Sequence, residues 1–379
     1  MPVPLSVLDL SPVPSGGTAS DAFNNTLRLA KAVESFGYKR YWLAEHHLVP
    51  GVISSAPAVL GALVAGATRT LRVGSGAVLL GHQTALSVVE QFGLLDVAFP
   101  GRIDLGIGRS GAPRLPGTSA APARSPQPAH EVDGLVIPEP FAFTLSGELG
   151  ERIRTQLQLL TLPGAQSPGF AAQVDDVLAF VNGSFTTESG HRAHAVPGEG
   201  ADLQVWVLGS SGGESARVAG ERGLPFAANY HVTPSNVLDA VAAYREAFRP
   251  SQWLDEPYVV VSADAVVAET SERARELASP YGLWVRSIRA GGGAIPYPSP
   301  KEAAEHEWSD EDRKLVADRV STQFVGTPAE VVERLQTLQR VTGADELVVT
   351  TVTHDHVDRE RSYELLAAAW ASADEGPTR

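Results

Sequence analysis

RYWLAEHH, residues 40–47, opens on an apolar run and closes on a glutamate and two adjacent histidines. Such a run reads as a strand buried in a core that comes out of it at its carboxyl end. Helical patterns flank it. DAFNNTLRLAKAVESFG (21–37) precedes it, with Asp21 near the amino end and Gly37 as the stop, and APAVLGALVAGAT (56–68) follows.

The same strand-then-helix rhythm extends in both directions. Strands are expected at 4–10, 40–47, 71–80, 102–109, 204–210, 224–231, 257–268 and 345–354, each followed by a helical stretch. Most are continuous Val/Leu/Ile runs rather than alternating ones, the pattern of a parallel sheet covered by helices on its face. Eight β-then-α units favour an α/β fold of the closed (β/α)8 TIM-barrel kind over an open doubly wound sheet. The whole chain, 1–379, is expected to be one such domain. Two segments break the rhythm and are expected as long insertions after the fourth and seventh strands. They span about 110–169, rich in Pro, Gly and Ser, and about 290–327.

Composition narrows the function. The chain has 379 residues, 43% hydrophobic and 20% charged, enough apolar material for a large core. Its net charge of −14 argues against nucleic acid or anionic membrane as a partner. Cysteine is absent, which excludes disulfides, thiol nucleophiles and Cys-ligated zinc. The amino-terminal stretch lacks a basic n-region and a cleavable apolar segment, and nothing approaches about 20 consecutive apolar residues. The expectation is a cytoplasmic protein.

A barrel carries its site at the carboxyl ends of its strands, and there the polar residues gather. The first run delivers Asp9, the second Glu45, His46 and His47, and the third passes through Gly76 and Ala77. The fourth ends on Arg109, the fifth on Leu208, Gly209, Ser210, Ser211, Gly212 and Gly213, and the sixth on Asn229 to His231. The GSSGG turn before a helix offers backbone N–H groups and a helix dipole to an anion, which suits the phosphate of a nucleotide or flavin; the alternative is an ordinary capping turn. Arg109 leaves its strand near where that phosphate would lie. LGIGRSG matches G-x-G-x-x-G, but Pro113 and Pro116 follow and no helix can begin there, so the dinucleotide fold is rejected. Adjacent strand residues face opposite ways, so one of His46 and His47 is expected in the mouth and the other toward the helices. No metal site is assigned. A zinc barrel using His46, His47 and His354 stays as a minor alternative that leaves the GSSGG turn unexplained.

Together LSVLDLSPV, GYKRYWLAEHH, LRVGSGAVLL, QFGLLDVAFPGRIDLGIGR, VWVLGSSGGESARVAGERGLPFA and FVGTPAEVVERL resemble the bacterial luciferase-like family of flavin-dependent oxidoreductases over nearly the whole chain. The resemblance implies a (β/α)8 barrel binding FMN, or in some branches the deazaflavin F420, at the carboxyl ends of the strands. It implies that His46 lies beside the flavin ring as the catalytic residue. A non-proline cis peptide would fall at Gly76–Ala77, and Arg109 with residues 208–213 would grip the phosphate. Asp9, Glu45 and His47 are expected to support the site or meet the substrate. The chain departs from the family in GHQTALS (81–87), in the Pro-rich segment after the fourth strand and in Gly213 within the phosphate turn.

The function so implied is monooxygenation of a small, hydrophobic organic substrate by O2, with reduced FMN supplied by a separate flavin reductase. Alternatives are hydride transfer with deazaflavin and a non-catalytic flavin-binding protein. A homodimer is expected from the family.

Overall fold

Parallel pairing carries the chain through a full circle. The computed structural model describes residues 3–109, 127–141, 147–162, 164–165 and 167–373. Its barrel strands are β1 (Leu5–Asp9), β2 (Arg40–Leu43), β3 (Arg72–Ser75), β4 (Ile103–Gly108), β5 (Gln204–Gly209), β6 (Phe226–Asn229), β7 (Val259–Val267) and β8 (Glu346–Thr350). Each pairs in parallel with the next, and β8 closes on β1 through Leu347 opposite Leu5. The fold is a closed eight-stranded barrel, and its strands fall within the eight runs expected from the sequence.

Alternation along each strand divides the core in two. Val7, Tyr41, Leu43 and Val261 pack outward against the helices, while Leu8, Trp42, Trp206, Val260 and Val348 fill the interior. β7 is buried over all nine of its residues, in keeping with its Val- and Ala-rich sequence, which only Ser262 and Asp264 break. At the amino-terminal end an ionic layer plugs the barrel. Arg40 reaches Asp104 at 2.8 Å and Glu346 at 3.0 Å, Arg72 reaches Asp104 at 2.7 Å, and the Arg40 guanidinium lies 4.6 Å from the centre of the Trp206 ring. Trp42 Nε1 donates to the same Asp104.

Three local departures have clear causes. β2 stops at Leu43, because beyond Ala44 the chain leaves the ladder and the His46 N–H donates to Ser54 O at 2.7 Å. β3 is interrupted after Ser75 and resumes as Val78–Leu79 against β4. Ser75 Oγ bridges the gap, donating to Gly106 O at 2.8 Å and accepting from Gly106 N at 3.0 Å. The stretch after β7, SERARELASPYGLWVRSI, forms two helices, Ser271–Ala278 and Tyr281–Ala290, since Pro280 has no N–H to continue the first.

Between β4 and β5 lie the hairpin His130–Val132/Leu135–Ile137 and the helices Gly147–Leu160 and Phe170–Val181. The Pro-rich stretch 110–126, with Pro113 and Pro116 of the rejected dinucleotide motif, lies outside the described residues. Between β7 and β8 the helices Pro300–Glu305 and Asp310–Thr322 follow those already named. A short strand, Phe324–Gly326, then pairs with the end of β7, and the helix Pro328–Thr342 leads into β8. The two segments and the loop after β2 converge: Arg152 Nε donates to Gly291 O at 2.9 Å, and Gly51 N donates to Ala294 O at 2.7 Å.

Candidate active site

The mouth is built around the interruption of β3. The peptide between Gly76 and Ala77 is cis, at the position the family resemblance implies. A Cβ on Gly76 would lie 2.9 Å from Leu8 Cδ1 and 3.1 Å from Trp42 Cβ, so a side chain here would press on both between β1 and β2. Next to it Glu45 is 6% exposed, and both its oxygens are in use. Oε1 accepts from His47 Nε2 at 2.9 Å, and Oε2 accepts from Leu79 N at 3.0 Å. Glu45 thus ties the end of β2 to the resumed β3, and His47 packs edge-on to His82 with ring centres 6.0 Å apart.

His46 follows Glu45 in the loop after β2. Its backbone N–H is held by Ser54 O, and Arg152 and His231 are near enough to its ring to interact with it electrostatically. His46 is exposed to solvent, with protein atoms gathered around it at longer range. Desolvation, then the proximity of His47 and the charge of Arg152, push its pKa down to about 4. At neutral pH His46 is therefore a neutral imidazole, one nitrogen donating and one accepting, rather than a group titrating near 6.5.

Arg109 reaches the fifth-strand turn. Its Nη1 lies 3.1 Å from Glu214 Oε2, the first residue of the helix Glu214–Glu221, and both side chains are more than a third exposed. Within the turn the glycines divide by cause. A Cβ on Gly209 would meet Phe226 Cε2 at 2.9 Å, and one on Gly212 would meet Asp239 O at 2.8 Å, so packing alone requires both. At Gly213 a Cβ would meet only Ser211 Oγ, at 3.1 Å. Among the described residues no side chain caps this helix, whose first turn begins beside Arg109. Ser210 is held through its carbonyl by Thr233 Oγ1, and Leu208 lies half-buried at the end of β5.

Asp9 is placed differently. It is fully buried and accepts from Ser11 N at 2.7 Å, Thr26 Oγ1 at 2.8 Å, Tyr41 OH at 2.6 Å and Arg359 Nη2 at 2.7 Å. Burial opposes its charge, but Arg359 and the hydroxyl of Tyr41 outweigh it and lower its pKa. The carboxylate turns toward the helix layer with Tyr41 and joins β1 to the last helix, His356–Ser372, rather than facing the mouth.

The opposite wall comes from β6, β7 and the segment after β7. His231 Nδ1 lies 2.6 Å from Ser262 Oγ. Asp264, in phase with Ser262, is 4% exposed, accepts from Gln323 Nε2 at 2.8 Å and has its pKa raised by burial to about 6. Arg319, beside it, donates to Tyr281 OH at 2.9 Å. Thr350 pairs with Asp264 across β7 and β8, and its hydroxyl is buried without a partner, as is that of Tyr297. Ser262 and Asp264 were legible: two polar residues at period two within VVVSADAVV mark one face of an otherwise apolar strand. Gln323, Tyr281, Tyr297 and Arg319 come from the irregular segment and carry no such signal. Among the described residues no three His, Asp or Glu gather as a metal site.

Comparison with known proteins places this arrangement. The family model described as luciferase-like monooxygenase matches residues 3–122 and 176–346. The chain is 40% identical over 367 residues to the uncharacterized protein YvbT of Bacillus subtilis (strain 168), covering 97% of this chain and 96% of that one. It is 34% identical over 364 residues to a luciferase-like monooxygenase of Escherichia coli (strain K12), covering 96% of each. Among solved structures, apo-MsnO8 superposes with a TM-score of 0.78 at 29% identity, covering 97% of this chain and 98% of that one.

Proposed function

The chain belongs to the luciferase-like monooxygenase family, and from that premise we propose that it is a flavin-dependent monooxygenase using reduced FMN and O2 on a small, hydrophobic organic molecule. The observation that carries this reading is the convergence at one end of the barrel of a neutral His46, the Gly76–Ala77 turn and the Arg109–Glu214 junction. The residues present fit a phosphorylated flavin. An uncapped helix amino end with an open glycine, Gly213, lies beside a guanidinium, and this is a cradle that a Cβ would begin to fill.

In this reading Arg109 and the N–H groups of residues 210–215 hold the phosphate, and the Gly76–Ala77 turn meets the ring. A bound reduced flavin supplies the electron pair that activates O2. The chain's own work is to orient, to exclude water and to manage a proton. His46 holds a proton on one ring nitrogen and can receive one on the other without first losing a charge. Glu45 and His47 keep the loop that carries it in place. The segments after β4 and β7 meet through Arg152 and Gly291 and restrict solvent at the mouth. Leu48, exposed at 49%, adds apolar surface beside His47, in keeping with a hydrophobic substrate.

A separate flavin reductase is the expected source of reduced FMN. A second copy of the chain is the expected partner for the adjacent helices Pro57–Ala67 and Ala85–Ala98, whose outer faces expose Val59, Leu63, Leu94 and Val97. No helix among the described residues is long and apolar enough to cross a membrane.

The test is isotopic. Purified protein, FMN, NADH and an unrelated flavin reductase are incubated under 18O2 with a panel of small apolar ketones, thioethers and amines. One labelled oxygen atom in a product, dependent on this chain, supports the reading. Turnover that needs no O2 and proceeds only with reduced deazaflavin replaces it with hydride transfer.

A further inference from the structure

His231 lies two residues beyond β6, but β7 fixes its ring. Nδ1 is 2.6 Å from Ser262 Oγ, and the same oxygen accepts the backbone N–H of Tyr230 at 3.2 Å. Ser262 pairs with Asn229 at the end of β6 and lies in phase with Val260 of the interior cluster, so the bond is made on the inward face.

The tautomer goes with the direction of this bond. With the Ser262 hydroxyl donating, Nδ1 accepts and a neutral imidazole carries its hydrogen on Nε2. Burial, then the nearby charge of Arg319 and the proximity of His46, push the pKa of His231 down to about 3, which keeps the ring neutral. Nε2 has no protein partner among the described residues and is not one of the buried atoms left unpaired, so it opens onto accessible space. Arg319 and His46 are close enough to act on the ring electrostatically, which puts His231 at the same end of the barrel as His46.

We propose that His231 Nε2–H is a fixed hydrogen-bond donor for a carbonyl or comparable oxygen on the substrate, and that Ser262 is the positioning residue that sets its tautomer. The inference rests on reading the mouth as the substrate site and narrows the substrate to an apolar molecule bearing an acceptor oxygen. A preformed donor of this kind discriminates against the analogue lacking the oxygen, because the N–H would then be left without a partner in a poorly solvated site. Glutamine at 231 places an amide N–H close to where Nε2–H stands, whereas leucine removes the donor.

The experiment needs no flavin. Protein labelled with 15N in its histidines is titrated with cyclohexanone and, in parallel, with methylcyclohexane. The ring signals of His231 are assigned by their loss in His231→Gln. The expected wild-type spectrum shows the Nε2–H tautomer, which cyclohexanone shifts and methylcyclohexane does not. Ser262→Ala mixes the tautomers, and Ser262→Thr restores the single form. Cyclohexanone affinity falls about tenfold in His231→Leu and stays within about twofold in His231→Gln. An Nδ1–H tautomer in the wild type, no cyclohexanone-dependent shift at His231, or equal losses in the leucine and glutamine variants overturns the proposal. None of these readouts depends on oxygen chemistry, so a failure of the monooxygenase reading registers separately in the isotope experiment.

Discussion

Arg109 Nη1 and Glu214 Oε2, 105 residues apart in sequence, meet at 3.1 Å across the ends of β4 and β5. The pair is exposed, so its own contribution to stability is small. Its consequence is positional, since it holds a guanidinium against an uncapped helix terminus. Arg109→Ala is expected to weaken FMN binding by about 10- to 100-fold, the scale of a lost charge-assisted hydrogen bond, with little change in melting temperature. Glu214→Gln is expected to tighten it, because the arginine is freed and a negative charge leaves the phosphate site. Fluorescence titration with FMN at two salt concentrations checks both.

Gly212→Ala and Gly213→Ala should separate packing from binding. The first drives a Cβ to 2.8 Å from Asp239 O and should cost about 1–3 kcal/mol of stability. The second meets only a serine hydroxyl and should leave stability nearly unchanged while reducing FMN affinity. Urea denaturation alongside the same titration distinguishes them.

Acid should destabilise the protein between about pH 6.5 and 4. The pKa values of His46, His231 and His356 are lowered to about 4, 3 and 4, chiefly by burial. Over that range the unfolded chain takes up protons that the folded chain refuses, so their contribution is complete above the unfolded value and fades as pH falls through the folded ones. Asp264, raised to about 6, acts with the opposite sign: the folded state binds its proton first, and that stabilisation is lost as pH rises through 6. Asp264→Asn should therefore steepen the acid loss seen in melting curves across this window.

Removing the floor of the barrel should be severe. Arg40→Leu leaves Asp104 and Glu346, both fully buried, without their shared guanidinium, and should cost about 3–5 kcal/mol by chemical denaturation.

The outer faces of Pro57–Ala67 and Ala85–Ala98 give an oligomer test. Leu94→Asp, at a side chain 62% exposed, should convert a dimer to a monomer by sedimentation without unfolding it. A wild-type monomer at micromolar concentration contradicts the expected homodimer.

The barrel was legible because its strands are apolar on both faces and its polar residues crowd one end of each. Alternation separated His46 from His47 without saying which faces the mouth, and the separation of Asp9 from the mouth did not show either, because a strand-terminal aspartate looks the same facing either way. What settles Asp9 is Arg359, 350 residues distant in sequence. The pKa of His46 was equally hidden, since it depends first on desolvation in the assembled fold and then on His47 and Arg152. The ionic floor of Arg40, Asp104 and Glu346 escaped notice because each residue opens or nearly opens its strand, where a lone charge reads as an ordinary boundary.

The proposed chemistry depends above all on which reduced flavin the mouth accepts. Anaerobic titration with reduced FMN and reduced F420 in parallel, each followed by mixing with oxygenated buffer, measures this. Reduced FMN binding at one per chain, weakened by Arg109→Ala and followed by oxygen uptake whose course changes in His46→Ala, is the predicted result. Tight F420 binding with no oxygen uptake would contradict it.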